Sequence, residues 1–527
     1  MRQWFRIVWI VLSGPHVGAA NVDRNDPAHV ADYTCAVYLA RGAVVVTRGS
    51  PLTYNPGMRN PHPWRTLGIL VLLATAVAAP VLVSGLRQLR QGTNAIRLGE
   101  YAEAATALES AARLLPWRTN LWEMAGQAAY AGGDVLHALE LLEVARVRNS
   151  LSATGWEVMG SCLWASGQQA SALQAWQEGA GLYPDEPALL DRLAGAYHEL
   201  GQYESEQAML SKRLALGEDA AAYYRLGLLL MLSDARQARS ALEAATALNP
   251  DVRPAARTLT AALGAAENES DLAGRMVVIG RSLGLVEEWA IAQRAFTIAV
   301  EADEGNAEAL AWRGEALQHL DEDGRPDLDA ALSRGWDSSV VHTLRGLYWR
   351  RQGNLGMSLA EYSRAAQLEP HNAALQSLVG EAQVANGDLV AALAAYEAAV
   401  ELAPDESTYW RLLALFCADN SVQVLDVGVA AGLKAVELAP SDPQALDALG
   451  WAYAQAGYLH KAEEALLKAL AANPDFAAAH LHLGLTYMRW GQNDKAREHW
   501  SRAAQIDGNG AVGEYAGQLL NTYFPQQ

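Results

Sequence analysis

The chain has 527 residues, of which 51% are hydrophobic and 19% are charged, and its formal net charge is -19. This composition is typical of a folded chain, and the length fits several domains or one long repeat array. The acidic balance argues against nucleic acid as a partner, because contact with phosphates needs a basic face. The three cysteines lie far apart and lack metal-site spacing, so the sequence predicts neither a disulfide framework nor a cysteine metal site.

Residues 1–65 share no pattern with the rest of the chain. TCAVYLARGAVVVTRG is a weak signal for a β-hairpin, and IVWIVL is a weak signal for a short signal-peptide core. We expect residues 1–65 to be poorly ordered. MRNPHPWR, which begins at Met58, is a short positive segment directly before an apolar run and is typical of the start of an anchor. The favoured interpretation is that Met58 is the native start and that residues 1–57 are not native.

Residues 66–86 form an uncharged apolar run. As a helix it would span roughly 31 Å at about 1.5 Å per residue, which matches the hydrocarbon core of a bilayer. Arg65 precedes the run, and Arg87 and Arg90 follow it, where cations reach the membrane surface. The prediction is one transmembrane helix and a single-pass membrane protein. Two alternatives are a buried core helix and a signal peptide cleaved near residue 78. Positive charges are balanced across the run, and its signal-anchor shape favours an extracytoplasmic location for the rest of the chain.

A pattern with a period of about 34 residues covers the chain from residue 85 to about residue 508. At Leu449–Gly450 a Leu–Gly pair is followed by Tyr453, Ala462 and Pro474, and the pair recurs at Leu483–Gly484. The glycine of this pair recurs through the chain at Gly92, Gly126, Gly160, Gly195, Gly227, Gly280, Gly314, Gly346 and Gly380. The sequence therefore predicts a long array of similar units.

This pattern resembles the tetratricopeptide repeat (TPR) family, whose units combine W-x2-L-G-x2-Y, A-x3-F and a closing proline. The resemblance implies an all-α, right-handed superhelical solenoid of about 12 helix pairs after the predicted transmembrane helix. Each pair buries its apolar face only against its neighbours. We divide the array into a first half at 87–250, an irregular helical insert at 251–272, a second half at 273–508, and a capping helix with a tail at 509–527.

Motifs that carry chemistry are absent or lie in the wrong context. GNGAVG, at 508–513, spells a dinucleotide fingerprint but follows a repeat helix instead of a strand, so we interpret it as a helix break. His480, His482 and His499 are candidates for a metal site, but roles in helix packing or at the surface are favoured over that interpretation. The sequence predicts a protein that is not an enzyme and that has no cofactor and no metal.

In TPR relatives, the first helix of each pair lines the concave face and holds peptides or partner helices. Some relatives clamp a C-terminal carboxylate there with Lys and Asn. The matching positions here lack that set and read Glu123, Gln127, Glu157, Ser161, Arg192 and Ala196. The mixture of aromatic, apolar and Arg side chains in the C-terminal half is typical of a partner hot spot. The candidate partner-binding residues are Arg350, Arg411, Trp451, Leu485, Met488 and Arg489.

The predicted function is a membrane-anchored scaffold or adaptor of bacterial type that binds a protein partner, as a peptide or helix in the concave groove. Neither nucleic acid nor a small-molecule substrate is expected. The layout resembles that of envelope-assembly TPR proteins with one N-terminal anchor, although this chain lacks their cysteine metal tab. Envelope assembly or the organisation of a complex is the expected role. The alternative is a non-catalytic regulatory subunit of a membrane-associated enzyme or secretion machine.

Overall fold

The computed structural model describes residues 35–40, 43–48, 63–148 and 150–525. The chain divides into two compact units, Met1–Leu121 and Trp122–Gln527. In the first unit, β1 (Cys35–Ala40) pairs antiparallel with β2 (Ala43–Arg48), so the weak hairpin signal is confirmed. The expectations for the segment IVWIVL and for Met58 as the native start concern residues that lie outside the described part of the chain.

The first unit also contains a helix pair, α1 (Pro63–Leu98) and α2 (Tyr101–Leu114). The two helices cross closely at glycines of α1. A Cβ atom on Gly92 would lie 2.6 Å from Cγ of Leu108, and one on Gly85 would lie 2.7 Å from Cγ of Leu115. Both leucines are fully buried, so the second half of α1 forms a packed pair with α2.

The prediction of a transmembrane helix at residues 66–86, and with it a single-pass membrane localisation, is wrong. Within the part of the chain that the structure describes, no helix combines the length and the apolar composition that a membrane span requires. The apolar run is the beginning of the longer helix α1, which continues through Arg87, Arg90 and Arg97 and packs against α2.

The second unit is a helical solenoid, in which short turns join consecutive helices into pairs. Its first four pairs are α3 (Asn120–Ala131) with α4 (Val135–Val147), α5 (Ala153–Ala165) with α6 (Gln169–Leu182), α7 (Pro187–Glu199) with α8 (Tyr203–Leu216), and α9 (Ala220–Leu230) with α10 (Ala235–Leu248). A 3-10 turn (Pro250–Val252) and a single helix, α11 (Arg253–Ala266), follow them.

After α11 the pairing continues to the last helix. The pairs are α12 (Leu272–Leu285) with α13 (Trp289–Ala302), α14 (Ala307–His319) with α15 (Arg325–Arg334), α16 (Ser339–Arg351) with α17 (Leu355–Leu368), α18 (Ala373–Ala385) with α19 (Leu389–Leu402), α20 (Ser407–Asp419) with α21 (Val429–Leu438), α22 (Pro443–Gln455) with α23 (Leu459–Ala472), and α24 (Ala477–Arg489) with α25 (Asn493–Asp507). The final helix is α26 (Ala511–Tyr523). No strand occurs in residues 87–148 or 150–525, so the all-α prediction is confirmed.

The regular spacing of small residues along the chain has a direct packing role. A Cβ atom on Gly450 would lie 2.6 Å from Cγ of Leu466, and one on Gly484 would lie 2.4 Å from Cδ1 of Trp500. Ala462, Leu466 and Trp500 are all fully buried. Glycine or alanine on one helix therefore leaves the space that a large side chain of the paired helix fills, at the density of a protein interior.

In most pairs the turn contains a residue in the left-handed backbone region. Glycine supplies it in most repeats, for example at Gly457 with φ +86° and Gly491 with φ +76°. In three repeats a residue with a side chain takes this place: Glu287 with φ +65°, Asp321 with φ +59° and Ser421 with φ +56°. A β-carbon makes this conformation costly, so these turns are strained relative to the glycine turns.

The repeat that begins with α20 also departs from the pattern. After Ser421, Gln423 also has a positive φ, and the next residues form a short π-helix, Val424–Gly428, that leads into α21. This repeat is about two residues longer than the usual period. The two left-handed residues and the wider π turn absorb the extra length, so α21 still packs against α20 and α22.

Substitution of Gly450 by Ala should lower the free energy of unfolding by about 1–3 kcal/mol, because the added methyl group overlaps Leu466. Gly517→Ala is the matched control, since Gly517 is helical with open space around its Cα, and it should raise stability by roughly 0.5–1 kcal/mol. Chemical unfolding followed by circular dichroism measures both. Equal effects of the two variants would contradict the proposed crossing.

Glu287→Gly should stabilise the protein by about 0.5–1 kcal/mol, because it removes a β-carbon from a left-handed turn residue at an exposed position. Gly457→Ala, the reverse change in a glycine turn, should destabilise it by about 1 kcal/mol. Thermal melting of both variants beside the wild type tests the pair. A lower melting temperature for Glu287→Gly would show that the turn is not strained.

Candidate functional site

The predicted partner-binding residues lie on the first helices of four pairs. Arg350 is on α16, Arg411 is on α20, Trp451 is on α22, and Leu485, Met488 and Arg489 are on α24. Successive first helices contact each other, α18 with α20, α20 with α22, and α22 with α24. The structure brings Trp451, Leu485 and Arg489 together, whereas Arg350 lies in a different repeat, beside α18.

Trp451 is at the centre of the contacts between α20, α22 and α24. Its side chain is only 7% exposed, and its Nε1–H donates to Oδ1 of Asp419 at 2.7 Å. The ring stacks on that of His482 with centroids 4.6 Å apart, and the guanidinium of Arg489 lies 5.6 Å from the Trp451 ring centroid. Trp451 therefore joins three first helices and presents little surface to a partner.

The three other candidates at this end differ in exposure. Leu485 and Met488 are half-buried against the hydrophobic clusters around Trp451 and Trp500. Arg489 is exposed, but it donates to the backbone oxygen of Ala454 at 3.0 Å and to Oε1 of Gln455 at 2.6 Å. Leu485 and Met488 thus form a short apolar surface, and hydrogen bonds to α22 fix the guanidinium of Arg489 beside it.

Polar bonds link the first helices of neighbouring repeats. Arg350 on α16 donates to Glu381 on α18 at 2.7 Å, and His482 on α24 is 2.9 Å from Asp447 on α22. Arg351 on α16 donates to both carboxylate oxygens of Glu315 on α14, at 2.8 and 2.6 Å. The carboxylate partners of these arginine and histidine side chains were not among the predicted site residues. The repeat period could have indicated them, because residues about one period apart in sequence lie side by side on adjacent first helices.

Arg411 is the exception among the predicted arginines. It is half-buried on α20, and no hydrogen bond or ion pair from any described residue reaches its guanidinium. Arg411 on α20 and Asp447 on α22 occupy equivalent positions in successive repeats. Asp447 uses this position to contact His482 on the next first helix, α24. We use the name first-helix face for the surface formed by Arg350, Glu381, Arg411, Asp419, Leu485, Met488 and Arg489.

Comparison with known families agrees with this architecture. One model of the tetratricopeptide repeat matches residues 89–153, 123–187 and 448–511, and a second model of the same repeat matches residues 350–416. The chain is a tetratricopeptide repeat protein. The matched ranges contain α18 and α24 and parts of α16 and α20, so each of the four helices that carry the first-helix face lies at least partly in a matched repeat.

Several solved structures are similar to this TPR protein. The APC/C hetero-tetramer Cut9–Hcn1 is 15% identical over 85% of this chain and 93% of that chain, with a TM-score of 0.36. Yeast Tom70 is 13% identical over 83% of this chain and 95% of that chain, with a TM-score of 0.37. MamA from Desulfovibrio magneticus RS-1 is 21% identical over 33% of this chain and 97% of that chain, with a TM-score of 0.28. No curated protein gives a significant match.

A buried charged network in the same TPR array joins α15, α16 and α17. Glu361 accepts from Nδ1 of His342 at 2.6 Å and from Nε of Arg345 at 2.9 Å, and Arg345 also donates to Asp329 at 2.6 Å. Nε2 of His342 donates to the backbone oxygen of Trp336 at 2.9 Å, so both ring nitrogens face acceptors and the imidazole is held as a cation. Every member has a partner, which makes this network a structural cross-link between helices.

The pKa of His342 is raised, because the hydrogen bond to Glu361 outweighs the opposing effect of burial. The hydrogen bonds from His342 and Arg345 likewise hold the pKa of Glu361 below its usual range, although burial alone would raise it. The two pKa shifts are opposite in direction, and each favours the charged form of its group, as expected for an ion pair.

The remaining candidate groups do not converge on a reactive site. Nδ1 of His480 lies 2.9 Å from Nδ1 of His499, while His482 faces Asp447 instead. Within the described residues, no three His, Cys, Asp or Glu side chains are arranged to hold a metal ion. Burial raises the pKa of the Cys162 thiol to about 11 and that of Cys417 to about 12, so both are unreactive thiols at neutral pH.

The stabilisation that His342 provides should decrease with rising pH. A group with a raised pKa in the folded state stabilises fully below its ordinary pKa, about 6.5, and loses this effect as the pH passes its raised value. The difference in melting temperature between wild type and His342→Gln should therefore be larger at about pH 6 than at about pH 9. A difference that is constant with pH would contradict a charged His342.

Proposed function

We propose that this TPR protein is a non-catalytic interaction scaffold that binds an extended protein segment along the first-helix face between α16 and α24. The observation that carries the proposal is the half-buried, unpaired guanidinium of Arg411 among the described residues. In the neighbouring helix contacts, basic and acidic groups already satisfy each other, as Arg350 and Glu381 do. A partner carboxylate would complete the same kind of pairing at Arg411.

Arginine suits this role because its planar guanidinium binds a carboxylate through two parallel hydrogen bonds. Such a pair gains strength where the surroundings exclude part of the water, and Arg411 is half-buried. Asp419, which is exposed at the end of the same helix, favours a basic or neutral group next to the carboxylate of the partner. The expected segment therefore carries an acidic residue within a mixed sequence.

Apolar anchors are available on both sides of α22. Leu415 on α20 is half-buried, and so are Leu485 and Met488 on α24. Methionine adapts its shape to different partners, and partly covered leucine side chains gain from losing their remaining contact with water. Because Trp451 and the polar bonds to α22 hold these helices together, little ordering is lost when a segment docks.

The role that follows is the organisation of a protein complex through peptide-like segments of its members. The membrane anchor of the earlier expectation is not part of this proposal. Trp451 supports the face from beneath, and Arg411 with Leu485 and Met488 forms its contact surface.

The full chain should select acidic, apolar-containing peptides from a random phage-displayed library. For a labelled peptide from that selection, Arg411→Glu should weaken binding at least tenfold, about 1.4 kcal/mol, because the carboxylate then meets a like charge. Fluorescence anisotropy measures the affinity, and circular dichroism checks that helicity is kept.

Arg497→Glu is the matched control, since it makes the same change of charge at an exposed position on α25, a second helix. It should leave the affinity within about twofold of the wild type. Equal binding by wild type and Arg411→Glu would place the binding surface elsewhere.

A further inference from the structure

Helix α24 carries two histidines whose surroundings favour opposite protonation states. His480 faces α25, the second helix of its own pair, whereas His482 faces α22, the first helix of the preceding pair. The same helix carries Leu485, Met488 and Arg489 of the first-helix face. The protonation of these histidines therefore bears on how firmly that part of the face is held.

The contact between α24 and α25 requires a neutral imidazole. Nε2 of His480 lies 3.1 Å from the backbone oxygen of Pro474, which can only accept, so this nitrogen carries the proton. Nδ1 of His480 is then the acceptor for the Nδ1–H of His499, at 2.9 Å. One added proton can enter at Nε2 of His499 without breaking this bond. A second proton, on Nδ1 of His480, would place two N–H donors opposite each other and two positive charges side by side, and it would break the hydrogen bond.

The other groups around this pair come from α23, α24, α25 and the turn before α24. Asp475 in the turn is paired with Arg502 at 2.7 Å, and Tyr487 on α24 stacks on His499 and donates to Glu463 on α23. Glu498 favours a charged imidazole, whereas Arg502 opposes it at His480 and Lys495 at His499. Burial is the largest effect on both rings, and it lowers the pKa of His480 and of His499.

The contact between α24 and α22 requires the opposite state. The carboxylate of Asp447 is buried, and His482 lies 2.9 Å from its Oδ1. Burial disfavours a charge on His482, but the charge of Asp447, its hydrogen bond and the charge of Asp419 outweigh this effect, so the pKa of His482 is raised. A neutral His482 could still donate the hydrogen bond, but it would leave a buried carboxylate without a counter-charge.

We propose that α24 is a pH-gated part of the first-helix face, held most firmly near pH 6.5 and loosened by both acid and alkali. The gating is a property of the helix contacts, and its consequence for partner binding rests on the proposed function. Acid breaks the contact of α24 with α25, and alkali weakens its contact with α22.

The loss of stability in acid (the acid limb) and in alkali (the alkaline limb) follows from the directions of the histidine pKa shifts. His480 and His499, with lowered pKa values, stabilise the fold fully above their ordinary pKa of about 6.5, and this contribution is lost as the pH falls through the lowered values. His482, with a raised pKa, stabilises fully below about 6.5, and this contribution is lost as the pH rises through the raised value. The two windows meet near pH 6.5.

Hydrogen–deuterium exchange of the full chain, followed by mass spectrometry and corrected for the intrinsic rate, tests the gating without a partner. Peptides from α24 should be most protected near pH 6.5, with protection decreasing towards about pH 5 and about pH 8.5. Each unit of pKa shift corresponds to about a tenfold change in protection. Peptides from α5 and α6, which contain no histidine, serve as the internal reference. Protection of α24 that follows this reference at every pH would overturn the proposal.

Variants separate the two limbs. His499→Gln should reduce the acid limb and leave the alkaline limb unchanged, because glutamine can still hydrogen-bond His480 but does not titrate, so that only His480 remains to be protonated. Asp447→Asn should flatten the alkaline limb alone, because His482 then has no buried carboxylate to neutralise. His371→Gln, at an exposed position, should leave both limbs unchanged. An acid limb that is as steep in both His499→Gln and His480→Gln as in the wild type would overturn the role of the pair.

Peptide affinity measured over the same pH range connects the gate to the face. A peptide affinity that is bell-shaped with pH in the wild type and less steep on the acid side in His499→Gln supports regulation of binding by α24. Affinity that is flat with pH, despite bell-shaped protection, would overturn that regulation. Failure of the proposed function appears separately, as equal binding by wild type and Arg411→Glu, and it leaves the exchange result unaffected.

Discussion

The structure depends on one steric constraint, the close crossing of two helices at a residue that has little or no side chain. At Gly450 and Gly484 the backbone of the first helix approaches the second so closely that Leu466 and Trp500 occupy the space of a β-carbon. A helix pair made in this way exposes an apolar face on each side, which a neighbouring pair or, at the C-terminal end, the helix α26 must cover. The array, its length and its high alanine content follow from this requirement.

A second layer of interactions acts between neighbouring pairs. The first helices are joined by polar bonds such as Arg350 with Glu381, Asp419 with Trp451, and Asp447 with His482. Apolar packing sets how closely pairs stack, whereas bonds with defined geometry favour one register. They also pair several charged groups of the first helices, such as Arg350 and Glu381, which are then less available to a partner. Arg411 stands out because, among the described residues, nothing uses its guanidinium in this way.

The contacts between the helices also depend on the protonation states of four histidines. His342 and His482 are stabilised as cations by buried carboxylates, while His480 and His499 are stabilised as neutral rings by each other and by burial. The last pair is covered on its C-terminal side by the single helix α26 instead of another pair. The protonation of α24 therefore acts at the end of the solenoid, next to this covering helix.

The helical pairs were predictable from the sequence because the spacing of glycine, alanine, aromatic residues and proline repeats with a fixed period, and each of these residues acts within its own unit. The strained turn at Glu287, the π turn after Gln423 and the partners of each arginine were not predictable in this way. Trp451 illustrates the difference: its position marks the inner side of a first helix, but its burial depends on Asp419, His482 and Arg489 from two other repeats. Likewise, the apolar run at residues 66–86 suggested a membrane span until α1 was seen to continue into a packed pair with α2. Local spacing decides which helices form, whereas contacts between distant residues decide which side chains are free, because burial and pairing depend on neighbours about one period away in sequence.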